Sequence, residues 1–171
     1  VALASESKYR ILAKLKEKHT TWERAWNALS EEKHCGIEPK ASWASLEAMN
    51  VRLILFDDAD YPPLLREISS PPFGLYVRGV LPGKTARCLG IVGTRKATED
   101  GLELARQFAA DLARSGCVIV SGMALGIDAA SHTGCLDAKG ITLAVLGNGL
   151  DRLYPRTNEK LAKKILDIGG A

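Results

Sequence analysis

The sequence lacks the features that would place it in several large classes. There is no membrane-length apolar run and no signal peptide, so the expectation is a soluble protein with a cytoplasmic location. It lacks a strong excess of either charge: 23 basic and 20 acidic residues leave a formal net charge of +3. That permits an anionic partner without demanding one, since strongly basic nucleic-acid binders are more lopsided. The four cysteines (Cys35, Cys88, Cys117 and Cys135) lie far apart, and no CxxC pair occurs. We read them as reduced and structural, with Cys88 and Cys117 opening strand-like runs where buried thiols are common. No P-loop GxxxxGK[ST], no dinucleotide GxGxxG and no GxSxG elbow is present. With 171 residues, 46% of them hydrophobic and 25% charged, the chain can still build a sizeable core.

What is present divides near residue 50. Residues 1–50 read as a small helical domain. Tyr9, Leu12 and Leu15 recur at helical spacing. Thr20 and Glu23 resemble a capping box, and Trp22, Ala25, Trp26 and Leu29 form an apolar stripe. Ala41 to Met49 reads as a third helix. The paired tryptophans suit either a DNA-stacking surface or a small helical core, and the core is the expectation. From Val51 the texture changes, and 51–171 reads as an α/β domain. Val51–Phe56 and Leu75–Val77 read as strands, separated by the acidic turn Asp57-Asp58-Ala59-Asp60 and rigid proline breaks. The aspartates lack the spacing of a calcium loop, so capping and solvation are expected of them.

The alternation then becomes regular. Cys88–Val92 is a strand. Thr98 caps a helix with an apolar face of Leu102, Ala105, Phe108, Ala109 and Leu112, stopped by Ser115-Gly116. Val118–Val120 is a strand, Ile127–Ala138 a helix, Ile141–Leu146 a strand and Asn158–Ile168 a helix. This pattern predicts a parallel sheet covered on both faces by helices. Gly169-Gly170-Ala171 reads as the turn before another strand, so the chain is expected to be incomplete at that end.

In open parallel sheets, ligands bind outside the carboxyl ends of the strands. Three glycine-containing turns fall there: Gly90 to Arg95, Gly122 to Gly126, and Gly147 to Gly149. Glycine lets a phosphate approach backbone N–H groups, and the helix start at Ile127 adds partial positive charge. The candidate phosphate-binding residues are Gly93, Thr94, Arg95 and Lys96 from the first turn, Ser121, Gly122 and Gly126 from the second, and Asn148 from the third. Arg95 supplies a forked donor, and Lys96 a weaker, more exposed charge. Glu99 and Asp100 suit the dipole of the Thr98 helix rather than an anion site. Asp128 and His132 share one helical face. Two ligands make no zinc site, so a structural role near the pocket is expected of both. Ser121 lacks a nucleophile elbow, which argues against hydrolysis. Arg152 and Arg156 flank Tyr154 in DRLYPR, a spacing that suits single-stranded nucleic acid or, equally, a solvated edge.

Three segments carry a resemblance: YPPLLREISSPPFGLYVRG at Tyr61–Gly79, GIVGTRKATEDG at Gly90–Gly101, and VSGMALGIDAASHTGCLDAKGITLAVLGNGLDRLYPRTNEKL at Val120–Leu161. In this order they resemble the DprA/Smf family of DNA-processing proteins over roughly two-thirds of the chain. The resemblance implies an extended Rossmann-like domain, often preceded by a small helical SAM-like domain. It implies binding of single-stranded DNA, protection of incoming strands and loading of a RecA-type recombinase in natural transformation, with no enzymatic activity and no cofactor. The arginine of the family's G-[ST]-R motif falls on Arg95 and belongs to the DNA pocket. The SGMALGID loop lines the same pocket, carrying over Gly122, Gly126 and Ser121. The family continues with a Ser-Glu-Pro segment and an F-P-x-R-N-R stretch that supply further DNA contacts and dimer surface, and some members add a winged helix. A homodimer is therefore expected of the full-length protein, while DNA binding and dimerisation by these residues alone stay open. The competing reading is a nucleotide-binding or phosphoribohydrolase-like enzyme of the related lysine-decarboxylase-like group. That chemistry requires a PGGxGTxxE-type motif and a carboxylate at the phosphate cleft, where only Asp128 is available.

Overall fold

A computed structural model describes Glu17, Lys18, Arg24 and residues 39–171. The expected helices built on Tyr9 to Leu29, the Thr20–Glu23 box, and Cys35 lie outside the described residues. The described chain falls into two compact units, one up to Tyr76 and one from Val77 to Ala171.

The first unit contains helix α1 (Pro39–Ala48), strand β1 (Val51–Leu55) and the short helix α2 (Pro63–Arg66), and β1 pairs with β2 (Gly74–Arg78). Asp58 has a structural role in the turn. Its Oδ2 accepts from the Leu55 N–H at 2.8 Å and closes the turn after β1. Tyr61 is fully buried, its hydroxyl donating to the Pro72 carbonyl at 2.6 Å. Its ring meets Phe56 edge-on with centroids 5.4 Å apart. The Arg66 guanidinium lies over both rings. The Y-P-P-L-L-R motif thus builds a small core with a cation over it.

The second unit is Rossmann-like. Strands β3 (Cys88–Gly90), β4 (Val118–Ser121) and β5 (Thr142–Ala144) form a parallel sheet in the order β3-β4-β5. The register sets Leu89 beside Ile119, and Ile119 beside Thr142. Helix α3 (Glu99–Arg114) connects β3 to β4, and α4 (Ile127–Asp137) connects β4 to β5. A 3₁₀ turn (Arg156–Asn158) leads into α5 (Glu159–Asp167). Thr98 caps α3 as expected, its Oγ1 accepting from the Gly101 N–H at 3.2 Å.

The expectation of helices on both faces is corrected here. Right-handed crossovers in a sheet whose strand order follows the sequence put successive helices on the same face. Here α3 and α4 lie side by side, both against β4. Their approach is at backbone distance, since a Cβ on Gly134 would sit 2.1 Å from the Arg106 carbonyl oxygen. Ala105, Ala109 and Ala110 are buried on the facing side of α3. So narrow a contact admits no large ring, and Phe108, expected in the apolar face, is 56% exposed. Cys88 is exposed too, because β3 is an edge strand. Cys135 is buried, and burial pushes its thiol up to about 11, so it stays protonated.

Two apolar clusters hold this unit together. Ala109, Ile119 and Cys135 pack with Ile91 and Leu112 between α3, α4 and the sheet. Met123, Leu146 and Ile165 pack with Leu150, Leu153 and Leu161 beneath α5. Leu153 thus anchors the DRLYPR segment in the core. On the outer side of β5 the Ala144 N–H donates to the Ala171 carbonyl at 2.7 Å. Among the described residues no helix is long and apolar enough to cross a membrane.

Candidate nucleic-acid interface

The three glycine-containing turns converge at the carboxyl ends of β3, β4 and β5. They enclose a cleft of about 310 Å³ lined by Arg95, Gly122, Ala124, Leu125, Gly147, Asn148, Tyr154 and Pro155. Of the residues singled out from sequence, Arg95, Gly122 and Asn148 line it. Tyr154 is 68% exposed, so its ring is available to stack. Asn148 is a brace as well as a lining residue: its amide donates to the carbonyls of Gly149 (2.9 Å) and Arg152 and closes the turn after β5. Arg152, Arg156 and Lys96 are exposed and lie outside the cleft lining.

The remaining residues shape the floor. Ser121 is buried, and its hydroxyl donates to the Ile91 carbonyl at 2.6 Å, joining the ends of β4 and β3. Thr94 accepts at its carbonyl from the Ile127 N–H at 3.2 Å, closing one N–H of the α4 start, while its Oγ1 accepts from the Lys96 N–H. Gly126 has φ +79° and ψ −130°, and a Cβ there would lie 2.2 Å from the Thr94 oxygen. Only glycine permits this contact between the first and second turns.

Asp128 joins those turns electrostatically. The buried carboxylate accepts from the Gly122 N–H through Oδ2 at 3.0 Å and from the Gly93 N–H through Oδ1 at 3.4 Å. A Cβ on Gly122 would meet Oδ2 at 2.8 Å, so the glycine admits the carboxylate. Two N–H groups that the sequence reading aims at a phosphate therefore point at an internal anion. Sequence inspection placed Asp128 near the pocket but missed this clamp, because Gly93 lies 35 residues away.

His132 sits one helical turn further along α4 and is fully buried. Its Nδ1 is 2.7 Å from Thr142 Oγ1, whose single hydroxyl proton goes to the Ile119 carbonyl at 2.7 Å. Nδ1 therefore carries the imidazole proton, and among the described residues Nε2 has no hydrogen-bond partner. Burial pushes its pKa down to about 4, against the opposing pull of the Asp128 charge and the Ser121 carbonyl. The ring is a neutral part of the core. Among the described residues no group of three His, Cys, Asp or Glu is placed to hold a metal.

Chemically, the cleft offers an exposed guanidinium and an exposed phenol ring. The carboxylate beneath it has both oxygens committed to backbone donors, which leaves it poorly suited to proton transfer. A guanidinium beside an exposed ring is the chemistry that suits an anionic, stackable ligand.

Comparison with known proteins gives the family. The family model of DNA recombination-mediator protein A matches residues 52–171. Protein Smf of Synechocystis sp. is 46% identical over 124 residues, covering 70% of this chain and 31% of that protein. Protein Smf of Escherichia coli is 39% identical over 135 residues, covering 79% and 36%. The crystal structure of DNA processing protein A from Streptococcus pneumoniae superposes with TM-score 0.65 at 32% identity, covering 78% of this chain and 46% of that one. A structure describing how DNA processing protein A from Helicobacter pylori binds single-stranded DNA superposes with TM-score 0.57 at 30% identity, covering 69% and 53%. The chain thus spans about a third of the length of these curated relatives. With the family model running from β1 to the last residue, the chain belongs to the DprA/Smf family of DNA recombination-mediator proteins.

Proposed function

We propose that this chain contributes a single-stranded DNA site, centred on the cleft at the carboxyl ends of β3, β4 and β5. The observation that carries the reading is the meeting of Arg95 and the exposed Tyr154 in one cleft. A guanidinium takes a phosphate as a forked donor, and a phenol ring stacks on any base, so together they bind a strand without reading its sequence. The candidate contacts are Arg95, Lys96, Asn148, Arg152 and Arg156. Gly93, Thr94, Ser121, Gly122 and Gly126 form the floor that positions them. In the whole protein we assign this site to DNA processing and recombination, with strand protection, loading of a RecA-type recombinase and homodimerisation as its context. The α/β body that presents the site runs from Val51, with the helical segment before it.

The test is fluorescence anisotropy with a labelled oligonucleotide of about 30 nucleotides, titrated at two salt concentrations with duplex DNA and a mononucleotide as competitors. Salt-sensitive preference for the single strand is expected. Arg95→Ala weakens binding and flattens the plot of log K against log salt by about 0.7, the share of one phosphate contact. A folded Arg95→Ala protein with unchanged affinity and slope removes Arg95 from the site. Preference for the mononucleotide replaces the DNA reading with a nucleotide-binding one.

A further inference from the structure

The cleft accounts for few of the exposed bases in the second unit, and their pairing is uneven. Arg106 is held by Asp137 at 2.9 Å and Arg114 by Asp111 at 2.7 Å. Arg87 donates to the Ser115 carbonyl. By contrast Arg156, Lys160 and Lys164 are all exposed, and among the described residues none has a carboxylate within 4 Å. Lys160 and Lys164 stand at i and i+4 on one flank of α5, and Arg156 lies in the 3₁₀ turn that leads into it.

The position of this row is fixed relative to the cleft. Tyr154 and Pro155 form a cleft wall, and Arg156 is the next residue. The buried Asn158 donates to the Met123 carbonyl at 2.8 Å, and its amide also reaches the Ala124 carbonyl. Ala124 itself lines the cleft. The start of α5 is therefore tied to the cleft loop. Lys160 and Lys164 line an open groove of about 620 Å³ that begins at Gly126. Glu99 and Glu103 on α3 also line that groove and repel a phosphate backbone toward the lysine wall, while its third carboxylate, Asp137, is paired with Arg106. Glu159 and Lys163 turn to the other flank of α5, against a separate apolar pocket.

Resting on the reading of the cleft as a single-strand site, the geometry points to an exit track for the same strand: Arg156, Lys160 and Lys164 carry its phosphates away from Tyr154 along α5. Eight residues of helical rise give the row roughly 12 Å. The track is an electrostatic rail without base-reading groups, so it adds affinity and salt dependence in proportion to strand length.

The experiment compares oligonucleotides of about 6 and 30 nucleotides on four proteins: the parent, Lys160→Ala/Lys164→Ala, Lys163→Ala and Arg95→Ala. The double variant is expected to bind the short strand like the parent. On the long strand its salt slope drops by about 1.4, so the parent loses about sevenfold more affinity than the variant between about 50 and 200 mM salt. Lys163→Ala, on the other flank, behaves like the parent. If the double variant keeps the parent's long-strand affinity and slope while Arg95→Ala loses both, the track is overturned and the cleft stands. If Lys163→Ala matches half the loss of the double variant, the effect is general net charge and the track is overturned. If the parent binds neither strand, the reading of the cleft fails and the track with it. The substituted lysines are exposed, and circular dichroism of each variant checks that the fold is kept.

Discussion

The clamp at Asp128 makes a sharp prediction about the stability of the site. Asp128→Asn preserves shape and removes one acceptor. The remaining carbonyl oxygen is expected to keep the shorter bond, to Gly122 at 3.0 Å, while the new amide group faces the Gly93 N–H donor to donor. A hydrogen bond to a charged group contributes about 1.5–3 kcal/mol and a neutral one about 0.5–1.5 kcal/mol. Weakening the first bond therefore loses about 1 kcal/mol. Losing the second, at 3.4 Å and close to solvent, adds a further 1–2 kcal/mol by the same scale. The total is about 2–3 kcal/mol, concentrated where the two turns meet. Native-state hydrogen exchange reads it locally: the Gly122 and Gly93 amides are expected to exchange about 30- to 150-fold faster in the variant. Amides in the core of β4, such as Ile119, serve as the internal reference. Exchange at Gly122 and Gly93 within about twofold of the parent would refute the clamp.

Two further perturbations follow from the same region. Acid is expected to destabilise the fold through His132, whose pKa is about 4 in the folded state against about 6.5 unfolded. The unfolded chain binds the extra proton between those values, so the contribution is complete above pH 6.5 and falls as pH drops toward 4. The loss amounts to about 3 kcal/mol. Urea unfolding across this window is expected to show a shallower pH slope in His132→Leu than in the parent; equal slopes would remove His132 as the cause. Gly126→Ala forces a side chain into a positive-φ conformation and against the Thr94 oxygen, and is expected to destabilise by at least about 3 kcal/mol. A thermal melt matching the parent would show that the first two turns are not locked at Gly126.

Much of the second unit is legible in sequence because its elements carry local signals. Thr98 with its Gly101 partner, the stop at Ser115-Gly116 and the Val118–Ser121 run are short-range features, and the structure places them as read. The Rossmann-like class follows from their alternation. The site was legible only in outline. Glycines at strand ends mark close approach of something, and a single sequence does not say of what. At Gly122 the visitor is Asp128, and at Gly126 it is the backbone of Thr94 and Arg95. Both contacts depend on how α4 docks under turns far away in the chain. The side on which the helices fall was misread for a related reason: alternation gives the number of layers, while strand order decides which face each helix covers. Phe108 shows the limit of periodicity, since its spacing suits a core position that the Gly134 contact leaves too narrow to fill.

If the cleft is the single-strand site proposed above, the clamp also bears on how a bound strand would behave. Backbone amides are fixed in space, and a ring of them would fasten each phosphate at a set point. Here the Gly93 and Gly122 amides are turned to Asp128, so on the proposed reading a strand would be met chiefly by side chains. A ligand held by swinging charges and a stacking ring has no preferred register. On the proposed reading, slippage by one nucleotide would replace each contact with an equivalent one, and a strand would creep through the site without letting go.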